Sequence, residues 1–158
     1  MWIAELCEEA LRIRRELGVP RGVAESLTTL ANLATDLGEH ERARPIQLEA
    51  LDVLTELGNK PGLAECLEAV AVSCAALGDA TRAATLLGAV DAILDASGAA
   101  RTWSDTRRTS LEATLRDQLH DAAFDKTVEL GRAMSLEQGV ELAQAFLTPK
   151  NDEQSASA

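Results

Sequence analysis

The chain has very few aromatic residues and no excess of basic residues, and each shortage excludes a class of function. Aromatic residues supply 3% of its 158 positions and tyrosine is absent, so the base-stacking surfaces of single-stranded nucleic-acid binders are lacking. Lys and Arg number 15 against 26 Asp and Glu, which leaves a formal net charge of −11. This negative charge argues against direct binding to nucleic-acid phosphates or to anionic membrane surfaces.

Long apolar runs are also lacking. The longest uncharged stretches are Ser26–Thr35 and Ala69–Gly78, about ten residues each, whereas a membrane span needs about 20. The first residues, MWIAELCEEA, are acidic where a secretory signal would be positively charged. The cysteines, Cys7, Cys66 and Cys74, form no CxxC motif and no Cys/His cluster. The sequence therefore predicts a cytoplasmic protein with reduced thiols and no membrane partner.

Motifs for catalysis and metal binding are missing as well. The sequence contains no G-x-x-x-x-G-K-[ST] phosphate loop, no G-x-G-x-x-G and no H-E-x-x-H. Its two histidines, His40 and His120, fall at predicted helix junctions, where we expect exposed turn residues. A general base also needs a cleft and a nucleophile partner, and no candidate pair is present. We therefore predict no catalytic residues, no metal ligands, no cofactor and no enzymatic activity.

What the sequence does contain is an internal repeat with a period of 40 residues. Gly18, Gly58 and Gly98 align at this offset, and so do Gly38 and Gly78. The segment GVAESL, which begins at residue 22, matches GLAECL, which begins at residue 62. A fixed period of this size indicates stacked supersecondary units.

Each period divides into two amphipathic helices that end at a glycine. Leucine precedes the glycine at four of these ends, where a left-handed residue closes a helix. Apolar residues recur between the glycines at helical spacing. The pattern predicts helices at about 2–17, 21–37, 41–57, 61–77, 81–97, 104–119, 122–133 and 136–147.

The small and large positions of these helices resemble the tetratricopeptide repeat. With Gly38 as the turn glycine, the first unit places these residues in the core positions: Leu27, Leu30, Ala31, Ala34, Ala43, Gln47 and Ala50. The second unit places these: Leu67, Val70, Ala71, Cys74, Ala83, Leu87 and Val90. The resemblance implies an all-α, right-handed solenoid. The period of 40 exceeds the usual period of about 34, so we expect longer helices.

A second resemblance concerns the segment from Gly78 onward. GDATRAATLLGAVDAILDASGAARTWSDTRR and LEATLRDQLHDAAFDKTVELGRAMSLEQGVELA resemble the C-terminal repeats of actinobacterial LuxR-type and SARP-like regulators and of related signal-transduction ATPases. These proteins carry an upstream ATPase domain before a helical sensor arm. Neither that domain nor a DNA-binding helix-turn-helix is seen in this sequence. The resemblance therefore predicts a fragment, a truncated relative or an isolated terminal arm.

The predicted domain comprises residues 1–147, followed by a disordered tail at 148–158. It divides into a half repeat (1–17), repeat 1 (18–57), repeat 2 (58–97) and a C-terminal helical cap (98–147). Ser135 and Gln138 predict a capping box in this last part. Trp103 is expected to pack between repeat 2 and the cap. Repeat arrays need an atypical last unit with a polar outer face, so the cap explains these residues without an active site.

Partner-binding residues are predicted from the repeat register. First helices line the concave face of a stacked array, and these positions fall there: Glu25, Thr28, Asn32, Thr35, Asp36, Glu65, Glu68 and Val72, with Ala75 and Ala76. An acidic rim around a small apolar floor suits a basic amphipathic peptide or a helix of another domain. The partner would be a protein, a peptide or the ATPase domain of a parent protein.

Two functions remain open at this point. The first is a non-enzymatic interaction or sensor module of a transcriptional or signalling regulator. The second is a domain that binds a small-molecule inducer in a pocket between the repeats and the cap. A closed apolar cavity with convergent polar groups would favour the small molecule, whereas an open groove would favour a protein partner.

The first helix predicts a further surface. Its row of Leu6, Ala10, Ile13 and Leu17 is expected to pack on the second helix. An adjacent row is then left uncovered, and it consists of Trp2, Ile3, Cys7 and Leu11. An uncovered apolar row of this size usually marks an interface. Two coverings are open: a second copy of the chain, in a two-fold homodimer through this row, or the preceding repeat of a longer parent protein.

Overall fold

The computed structural model describes residues 2–101, 103 and 105–150, and it folds this part of the chain into eight α-helices without a strand. Every helix begins and ends within two residues of its predicted bounds. The helices are α1 (Trp2–Glu16), α2 (Pro20–Asp36), α3 (His40–Leu57), α4 (Lys60–Ala76), α5 (Ala80–Ser97), α6 (Thr106–Leu119), α7 (Asp121–Arg132) and α8 (Leu136–Leu147).

Glycines end the first five helices, as the sequence predicts. Gly18, Gly38, Gly58, Gly78 and Gly98 all adopt φ angles between 62° and 95°. A side chain at such a φ clashes with its own backbone, so glycine is the residue that ends a helix there at the lowest cost. The 20-residue glycine spacing is therefore the spacing of the helix ends.

Consecutive helices pack as antiparallel neighbours, α2 with α3 and α4 with α5, and α3 packs on α4. The small residues among the predicted core positions include Ala31, Ala43, Ala50, Ala71 and Ala83, and all five are buried. These alanines let the helix axes approach closely. Larger buried side chains, among them Leu63, Leu67 and Val70 of α4, fill the core. The architecture is an all-α helical-repeat solenoid, which confirms the predicted fold class.

The last three helices fold back on the array. Arg108 of α6 forms a bidentate ion pair with Asp91 of α5, with both N–O distances 3.0 Å. Helix α8 returns over α3, α4 and α5, where Arg44 of α3 donates to the carbonyl of Phe146 and lies 4.6 Å above its ring. The predicted capping box at the start of α8 is present.

Helices α5 and α7 cross at two glycines. A Cβ atom added to Gly88 would lie 2.0 Å from the carbonyl oxygen of Val128, and one added to Gly131 would lie 1.9 Å from that of Thr85. Real Cβ atoms do not approach a backbone oxygen so closely. The two helix backbones are therefore in direct contact, and only glycine fits at both positions.

Helix α1 packs on α2 with a different row from the predicted one. Leu11 is buried and Cys7 is half-buried against the core, whereas Leu6, Ile13 and Leu17 are exposed. The two rows are neighbours and both are apolar. Arg14 lies on the same side as Cys7 and Leu11, and its guanidinium donates to the Gly22 carbonyl and to Ser26 Oγ of α2.

Two further predictions concern membrane-spanning helices and the C-terminal tail. None of the helices in the described residues combines the length and apolar composition of a membrane crossing. The predicted disordered tail, residues 148–158, lies outside the described residues from 151 onward. Helix α8 ends at Leu147, and Thr148 follows in an extended conformation.

The three cysteines lie in different environments. All three are free thiols. Burial raises the pKa of Cys66 to about 12, and Glu65 adds to this rise. Burial likewise raises the pKa of Cys74 to about 12. Because the thiolate is the reactive form, these two thiols are inert in the folded protein.

We therefore expect N-ethylmaleimide to modify only Cys7 at neutral pH. Mass spectrometry should detect a single adduct on the native protein and three adducts after denaturation, since all three thiols are then free to react. The Cys7→Ser variant, used as the control, should remain unmodified under native conditions. Rapid native modification of Cys66 or Cys74 would contradict the packing of α4.

Candidate partner-binding groove

A groove of about 760 Å³ runs along the first helices of the repeats and is closed on one side by α6. We call it the concave groove. Helices α2 and α4 supply one wall, α6 supplies the other, and Trp103 contributes from the segment that precedes α6. The residues that line the groove are Asn32, Asp36, Glu65, Val72, Ala75, Ala76, Trp103, Thr106, Arg107, Ser110, Leu111, Thr114 and Gln118.

A chain of polar contacts crosses the groove. Arg107 of α6 donates to the Oδ1 of Asn32 at 3.1 Å and to the Oδ1 of Asp36 at 2.8 Å. Asn32 in turn donates to the Oε1 of Glu65 at 3.0 Å. These residues meet because Asn32 and Asp36 lie one turn apart on α2 and face α6 across the gap. The contacts fix the separation of α2 and α6, and hence the width of the groove.

A buried carboxylate lies next to the groove. Glu68 is fully buried, and Arg101 and Trp103 hold it. The Nη1 of Arg101 lies 2.6 Å from Glu68 Oε2, and the Nε1 of Trp103 donates to Oε1 at 3.0 Å. Arg101 also stacks over the Trp103 ring at 4.7 Å and pairs with Asp105 at 2.9 Å. Glu68 therefore anchors the segment between α5 and α6 to α4.

Burial and neighbouring groups have opposite effects on the pKa of Glu68. Burial raises the pKa of its carboxyl group above the usual range, while the Trp103 hydrogen bond and the Arg101 charge favour the ionised form. A buried carboxylate of this kind is tolerated only when paired. The group thus has a structural role, in which it holds Trp103 at the edge of the groove.

The walls of the groove differ in chemistry. The floor on α4 is apolar and small, with Val72, Ala75 and Ala76. The α6 wall presents uncharged polar side chains at successive turns: Thr106, Ser110, Thr114 and Gln118. These four residues are exposed along their row, so the groove is open to solvent. The arrangement offers an apolar floor and a polar edge to an extended or helical segment.

Only some of the predicted site residues line the concave groove in the structure. Asn32, Asp36, Glu65 and Val72 line the concave groove. Glu25 and Thr28 do not line the groove. Glu25 is exposed, with its Oε2 3.8 Å from Arg14 Nη1, and Thr28 is half-buried. Thr35 and Glu68 are buried and form internal hydrogen bonds, contrary to the predicted surface register.

Thr35 belongs to a buried polar cluster. The Nε2 of Gln47 donates to Thr35 Oγ1 at 3.2 Å and to Ser73 Oγ at 3.1 Å. His40 is half-buried, with its Nδ1 3.4 Å from Ser73 Oγ. Gln47 is a core position of the first repeat, and its amide joins α2, α3 and α4. His120, as predicted, is an exposed residue at a helix junction, with φ 65°.

Sequence reasoning missed the α6 wall entirely. Arg107 neutralises Asp36, and Arg101 neutralises Glu68, so the predicted acidic rim is largely compensated. The available signal was the row of uncharged polar residues at four-residue spacing in α6, a helix that is otherwise rich in charge.

The groove offers no arrangement typical of metal binding. Across the described ranges 2–101, 103 and 105–150, no group of three or more His, Cys, Asp and Glu side chains is placed to hold a metal ion. Charged groups in the groove are each held by a hydrogen-bond partner. Its chemistry is that of a binding surface with hydrogen-bond donors and acceptors around an apolar strip.

Comparison with known proteins gives one match. Residues 22–90 match the family model described as tetratricopeptide repeat, a range that begins in α2 and ends in α5. Together with the all-helical architecture, the match supports a tetratricopeptide-like domain. Repeats of this type generally mediate protein–protein interaction, which supports a non-enzymatic interaction module. No curated protein and no solved structure matches the chain.

Proposed function

We propose that this chain is an interaction module that binds a segment of a protein partner in the concave groove. The observation that supports this most directly is the open groove of about 760 Å³ between α2, α4 and α6, with an apolar floor and a hydrogen-bonding edge. An amphipathic helix or an extended peptide binds to such a surface through its apolar side chains, and its polar groups meet the edge.

The proposed partner segment has a small apolar face and a basic edge. The floor residues Val72, Ala75 and Ala76 leave room for apolar side chains of moderate size. Glu25 is exposed beyond the groove, and the chain carries a net charge of −11. A basic segment is therefore attracted over a distance, and the attraction weakens as salt is added.

A small-molecule ligand is the second candidate, and one observation favours it. The groove lies between the repeats and the C-terminal helices, and its volume of about 760 Å³ falls within the range of about 300–1,000 Å³ that is usual for small-ligand pockets. Against it, the row on α6 is exposed along its length. Pockets for small molecules enclose most of their ligand surface.

The proposal is tested with peptides selected for binding to the full chain. A random twelve-residue peptide library is panned on the protein, and selected peptides are titrated by calorimetry. In the Trp2→Phe background, Trp103 is the sole tryptophan, and its fluorescence reports directly on the groove that it lines. We expect the Trp103 emission to shift as the peptide binds.

Two variants and a matched control locate the binding site. We expect Val72→Glu and Ser110→Arg to weaken peptide binding at least tenfold, because both introduce charge into the groove. Thr109→Arg adds the same charge at an exposed neighbour that does not line the groove, and should leave the affinity within twofold. Equal losses in all three variants, or none, would contradict a site in the groove. Failure to select peptides, with a Trp103 response to small organic ligands, would favour the second candidate.

The proposed module forms part of a transcriptional or signalling regulator. The support for this context is the resemblance of the segment from Gly78 to the C-terminal repeats of LuxR-type and SARP-like proteins. In that setting the occupant of the groove is a separate protein or the ATPase domain of the same regulator. Fusing the chain to such a domain and measuring ATP hydrolysis with and without Val72→Glu tests the second case.

A further inference from the structure

The outer face of α1 carries an uncovered apolar stripe. Its residues recur at alternating spacings of three and four positions along the helix: Ile3, Leu6, Ala10, Ile13 and Leu17. Four of them are strongly exposed, from 41% at Ile13 to 71% at Leu17. Trp2, beside the first of them, is 68% exposed. Within the described residues, no helix packs over this stripe.

The spacing is that of a coiled-coil seam. An alternation of three and four residues keeps apolar side chains on one line when two helices wind around each other. A helix that packs on a flat protein surface uses a broader face. In α1 the broader face is already used, because Cys7 and Leu11 pack toward α2. The stripe is thus a second, narrower face suited to a single helix.

We infer that a second copy of this chain covers the stripe, and that two α1 helices pair in parallel about a two-fold axis. A seam of alternating apolar residues is self-complementary, as a two-fold interface requires. With exposures of 41% to 71% at its four large residues and 68% at Trp2, the stripe is an apolar patch in the range of about 300–600 Å² that marks the largest patch on a typical monomer. Towards the upper end of that range, burial on both copies gives about 1,000 Å², the lower limit of a specific interface.

Charges on the two flanks of the stripe determine the orientation. Glu9 and Glu16 lie on one flank with side chains 54% and 64% exposed, and each pairs with Arg12 of the same helix, at 2.5 Å and 2.6 Å. Arg14 lies on the other flank with 40% exposed. It is held there by hydrogen bonds to the Gly22 carbonyl at 3.0 Å and to Ser26 Oγ at 2.8 Å.

In a parallel pair, Glu9 of one chain faces Arg14 of the second copy, five residues further along, and the flanks attract each other. In an antiparallel pair, like flanks meet, and Glu9 faces Glu16 of the second copy. The antiparallel arrangement lacks the attraction between Glu9 and Arg14 and is therefore disfavoured. Parallel pairing also places Ile3 beside Ile3 of the second copy.

Sedimentation velocity on the full chain between about 5 and 100 µM tests the dimer. We expect a species of twice the 16.8 kDa chain mass. Leu6→Glu should raise the dimer dissociation constant at least 100-fold without changing the helical circular dichroism, since Leu6 is 58% exposed. Leu37→Glu is the matched control. Leu37 is 63% exposed at the turn between α2 and α3, and this variant should remain dimeric.

A monomeric wild-type chain would overturn the proposal, and would leave the stripe to a helix of another protein or of a longer chain. Dissociation by both leucine variants alike would also overturn it. Disulfide trapping in a Cys7→Ser background tests the orientation. Ile3→Cys alone should form a cross-linked dimer. Cross-linking only between Ile3→Cys and Leu17→Cys chains would show antiparallel pairing and overturn the parallel arrangement.

Discussion

Replacement of Gly88 or Gly131 by alanine is expected to detach α7 from α5. Either Cβ would lie 2.0 Å or less from a backbone carbonyl oxygen of the opposite helix, and a backbone atom cannot turn aside as a side chain can. The helices must move apart, which opens gaps among the buried residues around the crossing. We expect each variant to lose about 3 kcal/mol or more of unfolding free energy, measured by urea denaturation.

Gly22→Ala is the matched control for this prediction. The Cβ there would lie 2.9 Å from Cδ of Arg14, a flexible side chain that can shift. Alanine also favours the helix by about 1 kcal/mol over glycine, so we expect a change of less than about 1 kcal/mol in either direction. If Gly88→Ala were as stable as Gly22→Ala, the close approach of α5 and α7 would be contradicted.

Removal of the guanidinium by Arg101→Met is expected to destabilise the fold by about 3 kcal/mol at pH 7, the range for a buried charge that loses its partner. Glu68 is then left fully buried without its cation. The double variant Arg101→Met/Glu68→Gln should be more stable than Arg101→Met, because it buries no charge. Urea denaturation of the three proteins checks the order.

The pH dependence of Arg101→Met has a definite sign. Burial already raises the pKa of Glu68 in the folded wild type, and loss of the Arg101 charge raises it further. The folded state then binds a proton more readily than the unfolded state, so stability increases as the pH falls from neutral towards the unfolded-state pKa. The Arg101→Met/Glu68→Gln variant lacks this group and should not show the gain. A gain of the same size in both variants would contradict the role assigned to Glu68.

The repeat pattern predicted the helices well because their ends depend on local chemistry. The glycines that recur every 20 residues from Gly18 to Gly98 end their helices at positive φ through local backbone conformation, and no distant residue is needed. The faces of α4 and α5 followed from the same register, since the alanines at the crossings recur with the repeat. Ser135 and Gln138 form their capping box within one helical turn.

Contacts between distant segments could not be predicted in this way. Glu68 aligns with Thr28, which is half-buried in the first repeat. The carboxylate is buried only because Arg101, 33 residues away, reaches it from outside the repeat. The α6 wall of the groove has the same origin, since Arg107 meets Asp36 across 71 residues.

Helix α1 shows a different limit. Its two apolar rows have nearly equal hydrophobicity, so the pattern alone does not decide which one turns inward. The row beside Arg14 is the one that packs on α2, where Arg14 forms two hydrogen bonds that exist only in the packed structure. Of the row predicted to be uncovered, Trp2 and Ile3 are exposed, whereas Cys7 and Leu11 pack inward. The exposed stripe continues instead through Leu6, Ala10, Ile13 and Leu17.

The return of α8 to α3 has a consequence for how the protein unfolds. A linear repeat array has two free ends and can fray from either of them, because each unit contacts only its neighbours. Here Arg44 bonds to the Phe146 carbonyl across 102 residues, and Gln144 lies 3.3 Å from Asp52 across 92. These contacts hold α8 against α3 in the middle of the array. In the monomeric Leu6→Glu variant, where no second copy covers α1, local opening should therefore start at α1 and spread inward. Amide hydrogen exchange is then expected to be fastest in α1, while α3, α5 and α8 exchange together in one cooperative event.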